Sequence, residues 1–142
     1  MSRRLRMIAV LGAGLLVLTA TACRNGDTLE FEPPASKVAI DGTDRYRLVL
    51  TPNAVERLDI QTVPVEENGD QLSVTRDALI LDTTGVFWVY INPEPNTYER
   101  VEVSPVREVD GVALFSSGPA LGTSVVFVGA AELYGEETGV GK

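Results

Sequence analysis

The chain has 142 residues, and its 12 lysines and arginines against 20 aspartates and glutamates give a net charge of −8. This length fits one folded domain. An acidic chain without a basic cluster is not expected to bind nucleic acid, because affinity for phosphate backbones depends on Lys and Arg. Histidine is absent, which removes the commonest general base and metal ligand, so we predict no catalytic residue, no metal site and no cofactor.

Residues 1–22 are predicted to be a secretory signal peptide. Arg3, Arg4 and Arg6 precede the uncharged stretch 7–22, which is the order of basic and apolar regions in export signals. The stretch is shorter than the roughly 20 residues that span a bilayer. Removing the signal takes away three basic side chains and no acidic ones, so the 120 residues that remain carry a net charge of −11.

Cys23, the only cysteine, follows Ala20-Thr21-Ala22, and two interpretations compete for it. The small residues suit ordinary signal peptidase, which would leave a free thiol. The same four residues resemble the lipobox of bacterial lipoproteins, in which the cysteine sulfur carries diacylglycerol and palmitate-like acyl chains, although Ala20 stands where the lipobox usually has a larger aliphatic residue. We favour lipidation, because it accounts for the lone cysteine. The expected product is an extracytoplasmic protein, held by its lipid on the periplasmic side or the outer leaflet of the cell membrane.

Beyond Cys23, the sequence predicts a linker, a domain and a tail. Residues 23–37 are polar, contain Pro33 and Pro34 and lack any structural period, which favours a flexible linker. Residues 38–134 form the predicted β-rich domain. Residues 135–142 are rich in glycine and acidic groups, and we expect a flexible tail there.

Short apolar segments separated by turn residues predict that the domain is mostly β. One short helical turn is expected after Thr51, which can cap a helix whose first position is Pro52. Turns are expected at Asn68-Gly69, Asp82 to Gly85, Asp110-Gly111 and Ser117-Gly118-Pro119, and a strand break at Pro93 to Asn96. The predicted strands are 45–50, 60–65, 72–74, 78–81, 86–91, 98–106, 112–115 and 124–128.

Two strands carry the clearest burial patterns. The segment 86–91 is apolar at every position, which predicts a central strand covered on both faces. In the strand 98–106, Val101 and Val103 alternate with Arg100, Glu102 and Ser104, so we expect the valines to be buried and the polar residues to be exposed.

Six segments of the domain match a known pattern, namely 50–65, 72–80, 85–90, 98–103, 118–126 and 129–133. They resemble the membrane-proximal domain of periplasmic adaptors of efflux systems, the HlyD-like membrane fusion proteins. The resemblance covers roughly 49–133, and the fold it implies is a compact antiparallel β-barrel or β-roll.

Two departures from this family bear on function. Thr75 stands where the family usually has proline, and only residues 66–71 lie where an adaptor inserts its lipoyl halves, its helical hairpin and most of its barrel. The resemblance therefore implies a reduced, non-enzymatic adaptor or accessory protein. Its implied partner is an inner-membrane transporter of the resistance-nodulation-division or ABC type.

Site candidates are few. Trp88 and Tyr90 share one face of the central strand and are weak candidates for partner binding, but a strand that is apolar on both faces favours core packing. A lipid-anchored protein that binds a small ligand or an envelope component is the alternative function, and a carboxylate enzyme ranks last. The acidic groups, for which we favour solvated turns, are Asp77 with Asp82, Glu66 and Glu67 with Asp70, and Glu136 with Glu137.

Overall fold

The computed structural model describes residues 32–140. The predicted signal peptide, Cys23 and residues 24–31 of the predicted linker lie outside this range. The elements within it are β1 (Ala35–Ala39), β2 (Tyr46–Leu50), α1 (Pro52–Arg57), β3 (Gln61–Pro64), β4 (Glu66–Asn68), β5 (Gln71–Thr75), a 3-10 turn (Arg76–Ala78), β6 (Ile80–Leu81), β7 (Phe87–Glu94), β8 (Thr97–Glu102), β9 (Arg107–Val109), β10 (Val112–Phe115), β11 (Ser124–Val128) and α2 (Ala130–Thr138).

Local turn and cap chemistry acts as predicted. Thr51 caps α1 by accepting a hydrogen bond from the Ala54 N–H, with Pro52 at the first turn. The pair Asp110-Gly111 has positive φ at both residues, as a tight hairpin turn between β9 and β10 requires. The break expected from Pro93 is milder than predicted, because β7 continues to Glu94 through a shift in its register with β8.

The strands form two antiparallel sheets. The larger has the order β1-β2-β8-β7-β11-β3, with the short β6 also paired to β7. The smaller has the order β4-β5-β10-β9. The chain passes from the first sheet to the second at Val65, which lies between β3 and β4 and is buried. The prediction of a mostly β domain is confirmed.

The strand β7 separates two hydrophobic clusters. On one side, Tyr90 packs with Leu48, Tyr98 and Leu133, which places α1 and α2 against the larger sheet. On the other side, Val89 packs with Phe115 and other residues of the smaller sheet. The layers are thus helices, larger sheet and smaller sheet, and the prediction that β7 is covered on both faces is confirmed.

Two predicted boundaries are wrong. The expected linker to residue 37 overlaps β1, whose residues from Ala35 pair continuously with β2. The expected flexible tail begins inside α2, which runs to Thr138 and ends at Gly139 with the positive φ of a helix C-cap. Ala130, Leu133 and Glu137 are its buried residues, and their helical spacing places them on one face. The glycines of residues 135–142 favoured a flexible tail, so this helical spacing was not recognised from the sequence.

Candidate functional site

The predicted candidates Trp88 and Tyr90 lie on the same face of β7, as expected from their spacing. Tyr90 is paired directly with Arg100 of β8, and Trp88 is paired with Glu102. Arg100 is buried, with 7% of its surface exposed, which makes the prediction of an exposed position wrong. The reason is that α2 covers this part of the sheet and supplies a carboxylate.

That carboxylate belongs to Glu137, which is also buried. Its Oε2 accepts a hydrogen bond from the Tyr90 hydroxyl and lies 3.3 Å from Arg100 Nε. Its Oε1 accepts a hydrogen bond from the Tyr46 backbone N–H over 3.2 Å. One side chain near the end of α2 therefore contacts three strands, β2, β7 and β8.

The backbone of Glu137 adds a fourth strand. Lys37 Nζ of β1 donates a hydrogen bond of 3.2 Å to the Glu137 carbonyl oxygen. A lysine near a helix C-terminus also interacts favourably with the helix dipole. We call Tyr90, Arg100 and Glu137 the buried triad.

The triad favours one protonation pattern. Burial, reinforced by the hydrogen bond to Glu137, raises the pKa of the Tyr90 hydroxyl well above its usual range. Tyr90 therefore remains a donor at physiological pH. Among the described residues, Arg100 Nε has no aligned hydrogen-bond acceptor, so the attraction between Arg100 and Glu137 there is that of an ion pair.

Trp88 covers the guanidinium of this triad. The Arg100 Cζ lies 4.3 Å from the centroid of the indole, and Arg45 Cζ lies at 5.9 Å. Arg45 in turn donates a hydrogen bond of 2.7 Å to the Arg100 carbonyl oxygen. Cation–π contact with an indole is strongest where the cation is desolvated, as Arg100 is here. Trp88 and Tyr90 thus both serve the packing of one buried cation.

The indole is held from its other end by Asp82. Trp88 Nε1 donates to Asp82 Oδ2 over 2.8 Å, while Asp82 Oδ1 accepts from the Thr84 hydroxyl, the Thr84 N–H and the Val86 N–H. Hydrogen bonds from Thr84, Trp88 and Val86 hold the pKa of Asp82 well below its usual range. Asp82 is a turn-forming carboxylate in its ionised form, which is the wrong state for a general acid.

An open cleft of about 910 Å³ lies beside Trp88. Its lining is mixed in charge, since Arg45, Asp44 and Glu102 all contribute to it. The turn between β1 and β2 and the segment around Ser117 also form part of its walls. The lining residues are Gly42, Thr43, Asp44, Arg45, Trp88, Val101, Glu102, Ser117 and Gly118.

The remaining acidic candidates are not brought together. Asp77 is exposed in the 3-10 turn, and Glu66, Glu67 and Asp70 are exposed along β4 and its turn. Glu136 is half-buried on α2. Between residues 32 and 140, no three Asp, Glu, Cys or His side chains lie close enough together to hold a metal ion.

Sequence reasoning missed Arg100 and Glu137 as the centre of this arrangement. Arg100 shares the strand face of Tyr98, and Glu137 lies four and seven residues beyond Leu133 and Ala130. Each spacing places a charged residue on an apolar face, Arg100 on a strand and Glu137 on a helix. Their opposite charges are the signal from which the ion pair could have been predicted.

Comparisons with protein-family models, with curated proteins and with solved structures find no match to this chain. The resemblance to efflux adaptors therefore rests on the sequence segments named above. Neither helix of the described range is long and apolar enough to cross a membrane.

We predict that Glu137→Gln lowers the free energy of unfolding by about 3–5 kcal/mol, because it leaves the buried Arg100 without its counter-charge. Urea unfolding followed by circular dichroism measures this. Glu132→Gln, on the exposed face of the same helix, is the matched control, with an expected change within about 0.5 kcal/mol. Equal effects of the two substitutions would contradict the role given to Glu137.

We predict that Asp82 stabilises the fold in a pH-dependent way. Its pKa is lower in the folded state than its unfolded value of about 3.9, so its stabilisation is complete above that value and is lost as the pH falls through the folded pKa. The stability difference between the wild type and Asp82→Asn should therefore shrink as the pH is lowered from 7 towards 2. A difference that stays constant over this range would refute the prediction.

Proposed function

We propose that the chain is a lipid-anchored, non-enzymatic accessory protein, a reduced adaptor that works beside an inner-membrane efflux transporter by protein–protein contact. The transporter would be of the resistance-nodulation-division or ABC type. In this proposal the β domain corresponds to the compact barrel or roll of the membrane-proximal module of efflux adaptors. The protein would lie outside the cytoplasm, attached to the membrane through acyl chains on Cys23.

The hairpin β4–β5 is the observation that carries the proposal. Residues 66–71 occupy the place where an adaptor inserts its long modules, and here Glu66 to Asn68 pair directly with Gln71 to Ser73. The turn at Gly69 has the positive φ of a tight hairpin. In this proposal, the described domain corresponds to the module that, in the family, packs against the transporter. Within residues 32–140, only a tight hairpin stands at the insertion point.

The chemistry of the described side chains supports a contact function over catalysis. The triad and Asp82 are engaged in contacts that hold the fold together, and Asp82 is held ionised by four hydrogen bonds. A general acid or base needs a pKa near the operating pH and access to substrate. Tyr90 and Glu137 are buried, and the pKa of Tyr90 is raised away from neutrality.

Co-purification from detergent-solubilised membranes tests the proposal. The full chain, with an affinity tag at its C-terminus, should recover a transporter subunit at a level about tenfold above Cys23→Ser, because the anchor raises the effective concentration at the membrane. Labelled palmitate should enter the wild type and not this control. Recovery of the protein alone, without any transporter and without dependence on Cys23, would refute the proposed function.

A second candidate function is binding of a small ligand or an envelope component. The open cleft beside Trp88 favours it, because a partly exposed indole flanked by Asp44 and Glu102 offers both a stacking surface and hydrogen-bond acceptors. A ligand whose binding raises the melting temperature of the wild type, and not of a variant carrying Asp44→Ala and Glu102→Ala, would identify this function.

A further inference from the structure

The strand β1 lies at one end of the larger sheet, and within residues 32–140 no other strand pairs with its outer edge. Among residues 32–140, β1 pairs with β2 alone, over five residues without a shift in register. From Ser36 to Ala39 every residue is exposed. An exposed, regular edge of this length can pair with a further strand.

The backbone groups that face outwards from β1 follow from the ladder. The Leu50 N–H donates to the Asn96 carbonyl on the β8 side. The backbone N–H and C=O groups of Leu50 therefore face away from β1. Along an antiparallel pair of strands, the backbone N–H and C=O groups of one opposed pair of residues bond to each other, and those of the next pair point away from each other. The partners of Leu50, Leu48 and Tyr46 on β1 therefore direct their N–H and C=O groups outwards, and these partners are Ala35, Lys37 and Ala39.

Each of the other three end strands carries features that discourage pairing, whereas β1 carries a single such feature, the charge of Lys37. The β3 edge contains Pro64 and a register shift against β11. The other two end strands each contain two adjacent charged residues, Glu66 and Glu67 on β4 and Arg107 and Glu108 on β9. Lys37 is the one charge of β1, and its ammonium is drawn to the Glu137 carbonyl.

Side chains beside this edge add apolar area. Val38 of β1 and Val49 of β2 are 50% and 37% exposed, and the register places them on the same sheet face. The other face presents Lys37 between the small residues Ala35 and Ala39. An incoming strand would therefore place apolar side chains beside Val38, and a carboxylate opposite Lys37 would form a cross-strand ion pair.

A second copy of this chain fits the edge less well than such a strand. Full antiparallel pairing of β1 with itself, through its outward backbone groups, places Lys37 opposite its own copy. Like charges directly opposed across two strands are destabilising. The charge pattern thus favours a different partner.

We propose that the β1 edge binds an extended segment of the membrane partner, which adds as a strand and alternates apolar residues with an acidic residue opposite Lys37. This inference rests on the proposed function. Twelve peptide units separate Cys23 from Ala35, which limits the edge to about 40 Å from the lipidated cysteine. The edge can therefore meet only those extracytoplasmic segments of a transporter that lie within this distance of the membrane surface.

The test uses the peptide TVSVEVSVT as the probe and the full chain in detergent. Ala39→Pro removes an outward N–H donor and leaves the pairing with β2 in place, while Ala39→Val retains the donor and suits a strand. We expect the wild type and Ala39→Val to bind the peptide alike, and Ala39→Pro to bind it roughly tenfold more weakly. The peptide TVSVKVSVT, with lysine at its centre, should also bind more weakly.

Equal binding by all three proteins, or no binding by the wild type, would overturn the proposal. If Ala39→Pro fails to fold, hydrogen exchange in the wild type decides: added peptide should protect the amides of Ala35, Lys37 and Ala39, and unchanged exchange at these amides would count against the edge. A wild type that is dimeric, beside an Ala39→Pro variant that is monomeric, would assign the edge to a second copy of the chain. This result would refute the partner named here.

Transporter recovery with the same variants separates this inference from the proposed function. A transporter that co-purifies equally with Ala39→Val and Ala39→Pro would overturn the role of the edge and leave the function intact. Peptide binding that depends on Ala39, without any transporter in the co-purification, would retain the edge and refute the function.

Discussion

The ion pair between Arg100 and Glu137 is the interaction on which the architecture depends. Both groups are removed from water, at 8% and 1% side-chain exposure, and an unpaired charge there would cost several kcal/mol. The two groups are paired with α2 lying across β2, β7 and β8. The Tyr90 hydroxyl and the Tyr46 N–H satisfy the other acceptor positions of the carboxylate. The last helix is thereby held in one position on the larger sheet, which an apolar face of Ala130 and Leu133 alone would specify less precisely.

This pair also determines which residues remain for function. Trp88 packs on Arg100 and is oriented by Asp82, and Tyr90 donates to Glu137, so the aromatic residues of β7 are used within the fold. The β1 edge and the cleft beside Trp88 stay exposed. Both surfaces suit binding. The outward backbone groups of β1, which pair with no other strand in residues 32–140, are of the kind that recognise an extended peptide. A contact function therefore agrees with the distribution of buried and exposed chemistry in the described domain.

Much of the fold could be predicted because it is specified locally. Thr51-Pro52 starts α1, Asp110-Gly111 makes a hairpin, and the unbroken apolar run in β7 requires cover on both faces. The triad could not be predicted in the same way, because Arg100 and Glu137 each look solvated within their own segment. Their burial follows only from the pairing of distant elements. Gly135 and the acidic residues around it likewise concealed α2, whose position is set by tertiary contacts and not by helix propensity.

The central claim is that Arg100 and Glu137 stabilise the domain as a pair, and a double-mutant cycle tests it most directly. Unfolding free energies would be measured for the wild type, Glu137→Gln, Arg100→Met and the double variant. Each single change leaves a buried polar group or charge without its partner, whereas the double change removes both charges. The account predicts that the double variant is more stable than the sum of the single effects implies, by about 1–3 kcal/mol. Additive effects, within about 0.5 kcal/mol, would contradict it.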